Sequence, residues 1–305
     1  NEIRKINCSR MVKIALAFPD LYEIGMSYLG FKILYDIINK REDALAERVF
    51  SPARDMEQLM TKEKIPLFSL ESRTPLYDFD ILGFSLQHEL SFTNVLHIID
   101  LGGISLYSKE RTSEDPLIIA GGPSAFNPEP LADFIDAFII GDGEEIISDI
   151  INEYKSWEHS ESKKNKIDLL QKLMYIPGIY IPSFYSVSYF DDGRIKSIKK
   201  REKDAPLKIK KRILKDLSKS SFTISPIVPN IDIVHNRITL EIFRGCTRGC
   251  RFCQAGIIYR PVRERPVNVL LTLADKSLMN TGYEEISLSS LSSSDYNGID
   301  CLIEG

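Results

Sequence analysis

Short apolar runs alternate with amphipathic segments along the first half of the chain. Apolar runs of strand length lie at 12–18, 46–50, 66–70, 81–85, 117–120 and 137–140. Between them, apolar residues recur with a helical period at 25–40, at 55–64, up to about residue 101, and at 144–157. Several runs end in Gly or Pro, which interrupt regular structure. The pattern therefore predicts strands that alternate with helices.

This alternation predicts an α/β fold with a parallel sheet covered by helices on both faces. About five βα units in residues 1–157 are typical of a flavodoxin-like doubly wound domain. Ligands of such domains bind beyond the carboxyl ends of the strands. The segments 19–25, 85–88, 121–123 and 141–144 follow predicted strands, so we expect a ligand site at this edge.

The second half of the chain is organised differently. Residues 158–235 are predicted to form a linker with short strands and a basic segment, and strands at 238–243 and 285–291 flank a helix at 268–279. We expect residues 236–305 to be the first βα units of a (β/α) barrel. A complete barrel needs roughly 250 residues, so this part is predicted to be incomplete and the chain alone inactive.

Composition and charge narrow the function classes. The 305 residues are 43% hydrophobic and 27% charged, with a net charge of −4, which is typical of a globular protein of about two domains. No apolar run is long enough to span a membrane. The exception to the acidic balance is 194–219, which holds 12 Lys or Arg against 3 Asp or Glu. This segment is either a solvated linker or an RNA contact.

Three of the five cysteines, Cys246, Cys250 and Cys253, lie within eight residues. Such clustering is unlike a secreted disulfide framework and indicates a reducing compartment, the cytosol. Thiolates are the usual ligands of iron–sulfur clusters, and three of them leave one iron of a [4Fe–4S] cluster open. Gly245 and Gly249 permit the left-handed turns that a short wrapping loop requires.

Other interpretations of the cysteines remain open from spacing alone. A zinc site needs a fourth ligand, for which His235 is the nearest histidine. A ferredoxin-type cluster also needs a fourth ligand, for which Cys301 is the only nearby cysteine. The three thiols could also have a redox or structural role.

The run from Arg244 to Gly256, with Phe252 before the last cysteine, resembles the radical S-adenosylmethionine (SAM) signature. The resemblance implies that SAM chelates the open iron and that its reductive cleavage gives a 5′-deoxyadenosyl radical. It also implies a reductant such as flavodoxin or ferredoxin. Members of this superfamily usually carry a Gly-Gly-Glu stretch on the second barrel strand. Here Ser289 and Ser290 stand in that region and are candidate SAM contacts.

The strand ends of the first domain are similar to the motifs of cobalamin-binding domains. The residues that carry this resemblance are Asp20, Tyr22 and Gly25; Ser85 and Gln87; Gly121 and Gly122; and Gly141, Gly143 and Glu144. Tyr22 replaces the usual cobalt-binding His, which implies that cobalamin would bind without an imidazole ligand from the protein. The alternative is a flavodoxin-like domain that keeps turn glycines and binds no corrin.

Together the two halves resemble a bacterial family of cobalamin-domain radical SAM proteins whose substrate is unassigned. The resemblance implies methyl transfer to an unactivated carbon, or a skeletal rearrangement. Alternatives are a cobalamin-free radical SAM enzyme acting on RNA or a ribosomal component, and a non-enzymatic nucleic-acid-binding module. A tRNA-methylthiolating enzyme would carry three further cysteines in its first domain, where only Cys8 is present.

Overall fold

The computed structural model describes residues 2–3, 11–160 and 165–305; Cys8 lies outside them. The first half forms one six-stranded sheet. Its strands are β1 (Val12–Phe18), β2 (Ala44–Phe50), β3 (Ile81–Ser85), β4 (Leu117–Gly121), β5 (Ala137–Ile139) and β6 (Ile179–Tyr180). The spatial order is β2-β1-β3-β4-β5-β6; the first five strands are parallel and β6 is antiparallel. This order confirms the flavodoxin-like prediction.

Helices accompany these strands. They are α1 (Tyr22–Gly25), α2 (Leu29–Asn39), α3 (Arg54–Glu63), α4 (Phe92–Leu101), α5 (Gly143–Glu158) and α6 (Lys166–Leu173). Every residue of β2 is buried, including Glu47 and Arg48, and β1 is buried except at the half-buried Lys13. The crossover helices of a parallel sheet cover both of its faces, so its strands are buried on both sides. The domain core is one contiguous cluster that also includes residues of α2, α4 and α5.

The structure differs from the sequence prediction in three places. Residues 66–70 do not form a sheet strand. The Leu67 amide donates to the Leu101 carbonyl and the Leu70 amide to the Arg48 carbonyl, while Phe68 makes one isolated bridge to Pro75. The helix predicted at 25–40 begins only at Leu29, because Tyr28 is extended, and the short helix α1 precedes it. The sheet also continues past the predicted boundary at residue 157, since β6 pairs with β5. A two-residue edge strand carries no periodic signal of its own.

The second half of the chain contains smaller, two-stranded sheets. A two-stranded ribbon consists of β7 (Tyr185–Tyr189) and β8 (Ile195–Lys200). Beyond it come β9 (Ile238–Glu241), β10 (Phe243–Arg244), α7 (Ala255–Ile258), β11 (Arg263–Glu264), α8 (Val267–Thr281), β12 (Ile286–Ser289) and α9 (Ile299–Glu304). Strands β9 and β12 are parallel neighbours joined through α8. This βαβ unit is what the start of a barrel requires, and the complete barrel stays a prediction.

Across the described residues, no helix is both long and apolar enough to cross a bilayer.

Candidate functional site

The carboxyl edge of the large sheet faces the cysteine-bearing half of the chain across a cavity of about 420 Å³. The sheet side contributes strand ends and the first turns of α2 and α5. The opposite side contributes β9, β10, the end of β12 and the segment after α7. Apolar walls come from Ile33, Leu34, Ile119, Phe126, Ile139 and Ile147. An apolar cavity with a few convergent polar groups is the usual form of a cofactor site.

Most of the residues predicted to bind cofactors line this one cavity. They are Ser85, Gln87, Gly121, Gly122, Gly141, Gly143, Glu144, Ser289 and Ser290. The first seven come from the ends of β3, β4 and β5, and the two serines come from the end of β12. The structure therefore brings the candidate cobalamin residues and the candidate SAM residues to the same space.

The remaining three predicted residues lie elsewhere. Asp20 accepts a hydrogen bond from the Leu21 amide at 2.8 Å. Tyr22 packs edge-on against Phe50, with ring centroids 5.2 Å apart. Gly25 is needed because a Cβ there would collide with the Phe50 ring. This first motif thus has a packing role at β2 and does not line the cavity.

Two cavity glycines are explained by contacts within the protein. Gly122 and Gly141 both have φ of +115°, a conformation that favours glycine. A Cβ on Gly122 would strike the Leu86 carbonyl, and one on Gly141 would strike the Arg212 carbonyl. The resemblance to cobalamin-binding domains assigns both glycines to a ligand site. The structure shows that neighbouring backbone already requires them.

Arg244 joins the two halves of the site. Its guanidinium binds Asp142 at 2.9 Å, Glu144 at 2.8 Å and Glu241 at 3.0 Å. Asp142 precedes α5 and Glu144 lies in its first turn, whereas Glu241 ends β9. Burial alone would lower the pKa of Arg244, but the carboxylates of Glu144 and Glu241 raise it above its usual range. The cation is therefore permanent, and it lies two residues before Cys246.

Two further arginines extend this cluster. Arg263 donates to Asp142 at 2.5 Å and to the Leu214 carbonyl at 2.8 Å. Arg265 is almost fully buried and donates to the Leu217 carbonyl at 2.5 Å. Burial alone would raise the pKa of Asp142, yet Arg244, the Leu214 amide and Arg263 hold it below its usual value. Neither Arg263 nor Arg265 belongs to a motif that the sequence singled out.

The cysteine loop begins at the cavity wall, where Gly245 lines the cavity. Gly245 has φ of +97° and Gly249 has φ of +66°, which confirms the predicted left-handed turns. Cys246 and Cys253 are half-buried and Cys250 is exposed. The Arg248 amide donates to the Cys246 sulfur at 3.4 Å. The Phe252 ring is 93% exposed.

Within the described part of the chain, no group of three or more His, Cys, Asp or Glu side chains is placed to hold a single metal ion. A cubane binds each thiolate to a different iron, so its ligands do not share one point. The fit of a cluster is therefore judged on the donors: three accessible thiols on one short loop suit it. His235 precedes β9 whereas the loop follows β9, so the strand separates that histidine from the thiols.

Tyr28, Tyr259 and Lys211 are among the cavity residues that were not predicted. Tyr28 precedes α2 and Tyr259 follows α7. Burial raises the pKa of both hydroxyls. Lys211 donates to the carbonyls of Ile258 and Arg260, at 2.8 and 2.5 Å. Only Lys211 had a sequence signal, through its place in the basic segment.

A family model, radical SAM proteins, N-terminal, matches residues 30–182. That range is half of the chain and ends just after β6. The chain belongs to this family. The predicted membership of the radical SAM superfamily is thereby confirmed.

The fold is shared with a structurally characterised radical SAM methyltransferase. The chain superimposes on TsrM from Kitasatospora setae, solved with cobalamin and a [4Fe-4S] cluster bound, with a TM-score of 0.58 and 12% identity. A second TsrM structure, with tryptophan substrate and the SAM analogue aza-SAM, gives a TM-score of 0.55. The matches cover 96% of this chain and 50% of TsrM. At this identity the likeness concerns the fold.

One curated relative also matches. It is the uncharacterized protein MJ0966 of Methanocaldococcus jannaschii, 25% identical over 295 residues, which cover 95% of this chain and 52% of the relative. The chain thus spans about half the length of the proteins that it resembles.

Proposed function

We propose that this chain forms the cofactor-binding half of a cobalamin-dependent radical SAM enzyme that transfers a methyl group to, or rearranges, an unactivated carbon. The supporting observation is the shared cavity. The candidate cobalamin residues at the sheet edge and the start of the cysteine loop face the same space of about 420 Å³. Two cofactors that act in one reaction need such proximity.

Cys246, Cys250 and Cys253 are proposed to hold a [4Fe–4S] cluster with one open iron. When bound, the cluster and SAM supply one-electron cleavage of a sulfonium bond, and cobalamin supplies a methyl-carrying cobalt. The chain's own residues position and shield these groups. Arg244 fixes the beginning of the loop to the β5–α5 turn, because its guanidinium bridges Asp142 and Glu144.

The candidate cobalamin residues are those at the ends of β3, β4 and β5. Ser85 and Gln87 offer hydrogen bonds, and the first turn of α5 offers backbone N–H donors at Gly143 and Glu144. Tyr22 lies in α1 against Phe50, away from the cavity. The chain therefore places no imidazole or phenol from this first motif near a ligand in the cavity. Cobalamin would bind without a protein ligand to cobalt from that position.

Filling the cavity should displace cobalamin and leave the cluster intact. A Cβ on Gly143 makes only ordinary contact with Leu34, at 3.5 Å, so Gly143→Leu is compatible with the backbone and extends into the cavity. We expect cobalamin affinity to fall about tenfold or more, as overpacking costs 1–3 kcal/mol. The measurement is cobalamin retained after gel filtration, read from its visible absorbance, together with bound iron.

The matched control is Ser156→Leu, an exposed position on the same helix, which should retain cobalamin. If both variants retain equal amounts of cobalamin, or if the parent protein retains none, the proposal that this cavity binds cobalamin is wrong. A cluster that still forms would then favour the cobalamin-free alternative. Iron content thus separates failure at the corrin site from failure at the cysteine loop.

The proposed electron donor is a small reductant protein such as flavodoxin or ferredoxin. Cys250 is exposed, so a donor could approach the loop from solvent.

A further inference from the structure

The basic segment has a definite shape in the structure. Strands β7 and β8 form an antiparallel ribbon that pairs with no other strand. Its base is fixed to the first domain, because Tyr185 packs on Tyr180 at 5.1 Å between ring centroids and donates to the Pro206 carbonyl at 2.6 Å. The remainder, from residue 186 to residue 200, is half-buried or exposed. The ribbon therefore projects into solvent from a fixed base.

The two faces of the ribbon differ. Directly opposed residues share a face, and side chains alternate between faces along each strand. Ser186 opposes Lys199 and Ser188 opposes Ser197, so hydroxyls and a cation lie on one face, which we call the basic face. The Ser188 and Ser197 hydroxyls lie 2.8 Å apart, in agreement with this assignment. Tyr185, Val187 and Ile198 occupy the other face, together with Lys200, whose ammonium donates to the Lys203 carbonyl at 2.8 Å.

An aromatic ring stands at the end of the basic face. Phe190 is 47% exposed, and the cationic groups of Arg194 and Lys196 each lie 5.7 Å from its ring centroid. Arg194 also pairs with Asp192. Among the described residues, Lys196 and Lys199 form no salt bridge. Lys196 is the extra residue of a β-bulge between the Ser188–Ser197 and Tyr189–Ile195 pairs, and its ammonium reaches the Phe190 ring. Two lysines, a ring and serine hydroxyls thus lie close together on a surface that no other described strand pairs with.

We propose that the basic face of the β7–β8 ribbon, formed by Ser186, Ser188, Phe190, Lys196, Ser197 and Lys199, binds single-stranded RNA. Lys196 and Lys199 contact phosphates, and Phe190 stacks on an unpaired base. Proteins bind single strands by combining a cationic track with aromatic faces on which bases stack. Hydroxyl donors add contacts to phosphate and sugar.

Charge distribution favours a polyanionic partner at this place. The whole chain is net −4, yet residues 194–219 hold 12 Lys or Arg against 3 Asp or Glu. The rest of the surface is therefore acidic and would repel a polyanion, which confines it to the ribbon. The same basic run continues through exposed Lys208 and Lys210 to Lys211 and Arg212 on the cavity wall. A strand held by the ribbon can thus follow positive charge toward the cavity.

An anionic membrane is less suited to the basic face, which carries one exposed ring among hydroxyls and cations. Membrane-binding surfaces instead combine basic residues with a broad apolar face. The exposed Tyr189, Ile195 and Ile198 side chains make vesicle binding a necessary arm of the test.

The test measures fluorescence anisotropy of a labelled oligouridylate of about 15 nucleotides with the full chain, at about 50–200 mM salt. Lys196→Gln with Lys199→Gln should weaken binding about tenfold or more and reduce the slope of log K against log salt by about 1.4, since each single-strand phosphate contact contributes about 0.7. Phe190→Ala should weaken binding about tenfold with little change in that slope. The matched control, Lys62→Gln with Lys276→Gln, removes two exposed lysines outside the ribbon.

Several results would overturn the proposal. They are absence of RNA binding at the lowest salt, equal weakening by the ribbon and control variants, and tighter binding of phosphatidylserine vesicles than of RNA. Cluster-free protein serves for all of these measurements, so their outcome is independent of the proposed enzymatic function. Far-UV circular dichroism of each variant separates lost binding from lost folding.

Discussion

Replacing Cys250 with Ala should reduce the iron bound after anaerobic reconstitution from about four atoms per chain to less than about one. Cys250 is exposed and lies on a loop without regular structure, so its removal should leave the fold intact. Two remaining thiolates would leave a second iron without a protein ligand. The measurement is iron and sulfide per chain, together with the broad absorbance near 400 nm that a cubane gives.

Cys301→Ala is the matched control, because Cys301 is also an exposed free thiol but lies on α9. It should bind as much iron as the parent protein. Full iron content in Cys250→Ala would contradict the assignment of the loop. Loss of iron in Cys301→Ala would support the four-cysteine, ferredoxin-type alternative instead.

Arg244→Met should lower the free energy of unfolding by about 3–5 kcal/mol, the usual cost of removing one partner from a buried ion pair. The substitution leaves Asp142, Glu144 and Glu241 in place without the cation that bridges them, and the Arg244 side chain is only 13% exposed. Chemical denaturation followed by circular dichroism measures the change. Arg244→Lys keeps the charge but not the forked donors, so its free energy of unfolding should lie between those of the parent protein and Arg244→Met.

The exposed ion pair between Arg248 and Asp295 supplies the comparison, since it lies on the same loop in solvent. Arg248→Met should unfold close to the parent protein, because exposed pairs are screened. Equal stability of Arg244→Met and Arg248→Met would contradict a structural role for the buried cluster. The pKa of Asp142 is depressed in the folded state, so its contribution is present at neutral pH. It is lost as pH falls through that lowered value.

The fold of the first domain was largely predictable, because five buried parallel strands leave strong apolar runs. The 66–70 run was misassigned for a physical reason. Pro66 lacks an amide donor, and the amides of Leu67, Ser69 and Leu70 donate to three separate places, the carbonyls of Leu101, Thr74 and Arg48, so no continuous ladder forms. The edge strand Ile179–Tyr180 was missed because two residues carry no period. Its place in the sheet depends on pairing with Phe138 and Ile139, which are distant in sequence.

The candidate site was predictable where it depends on strand ends and cysteine spacing. The strand-end rule placed Ser85, Gln87 and the glycine turns, and the structure brings them to one cavity. The Asp142–Arg244 link was not predictable, because the two residues lie 102 positions apart and meet only when the two halves pack. Glycine was also an ambiguous signal. The Arg212 carbonyl leaves no room for a Cβ on Gly141, so glycine is required there whether or not a corrin is bound.

Electron paramagnetic resonance of the reduced, reconstituted protein, with and without SAM, tests whether the three thiolates hold a cubane with one iron open to SAM. Three thiolates leave one iron open, so SAM should bind that iron and shift the resonance of the reduced cluster. We expect a reduced cubane signal that changes when SAM is added and stays the same when only buffer is added. A signal that SAM leaves unaltered, or the absence of any cubane signal, would contradict it.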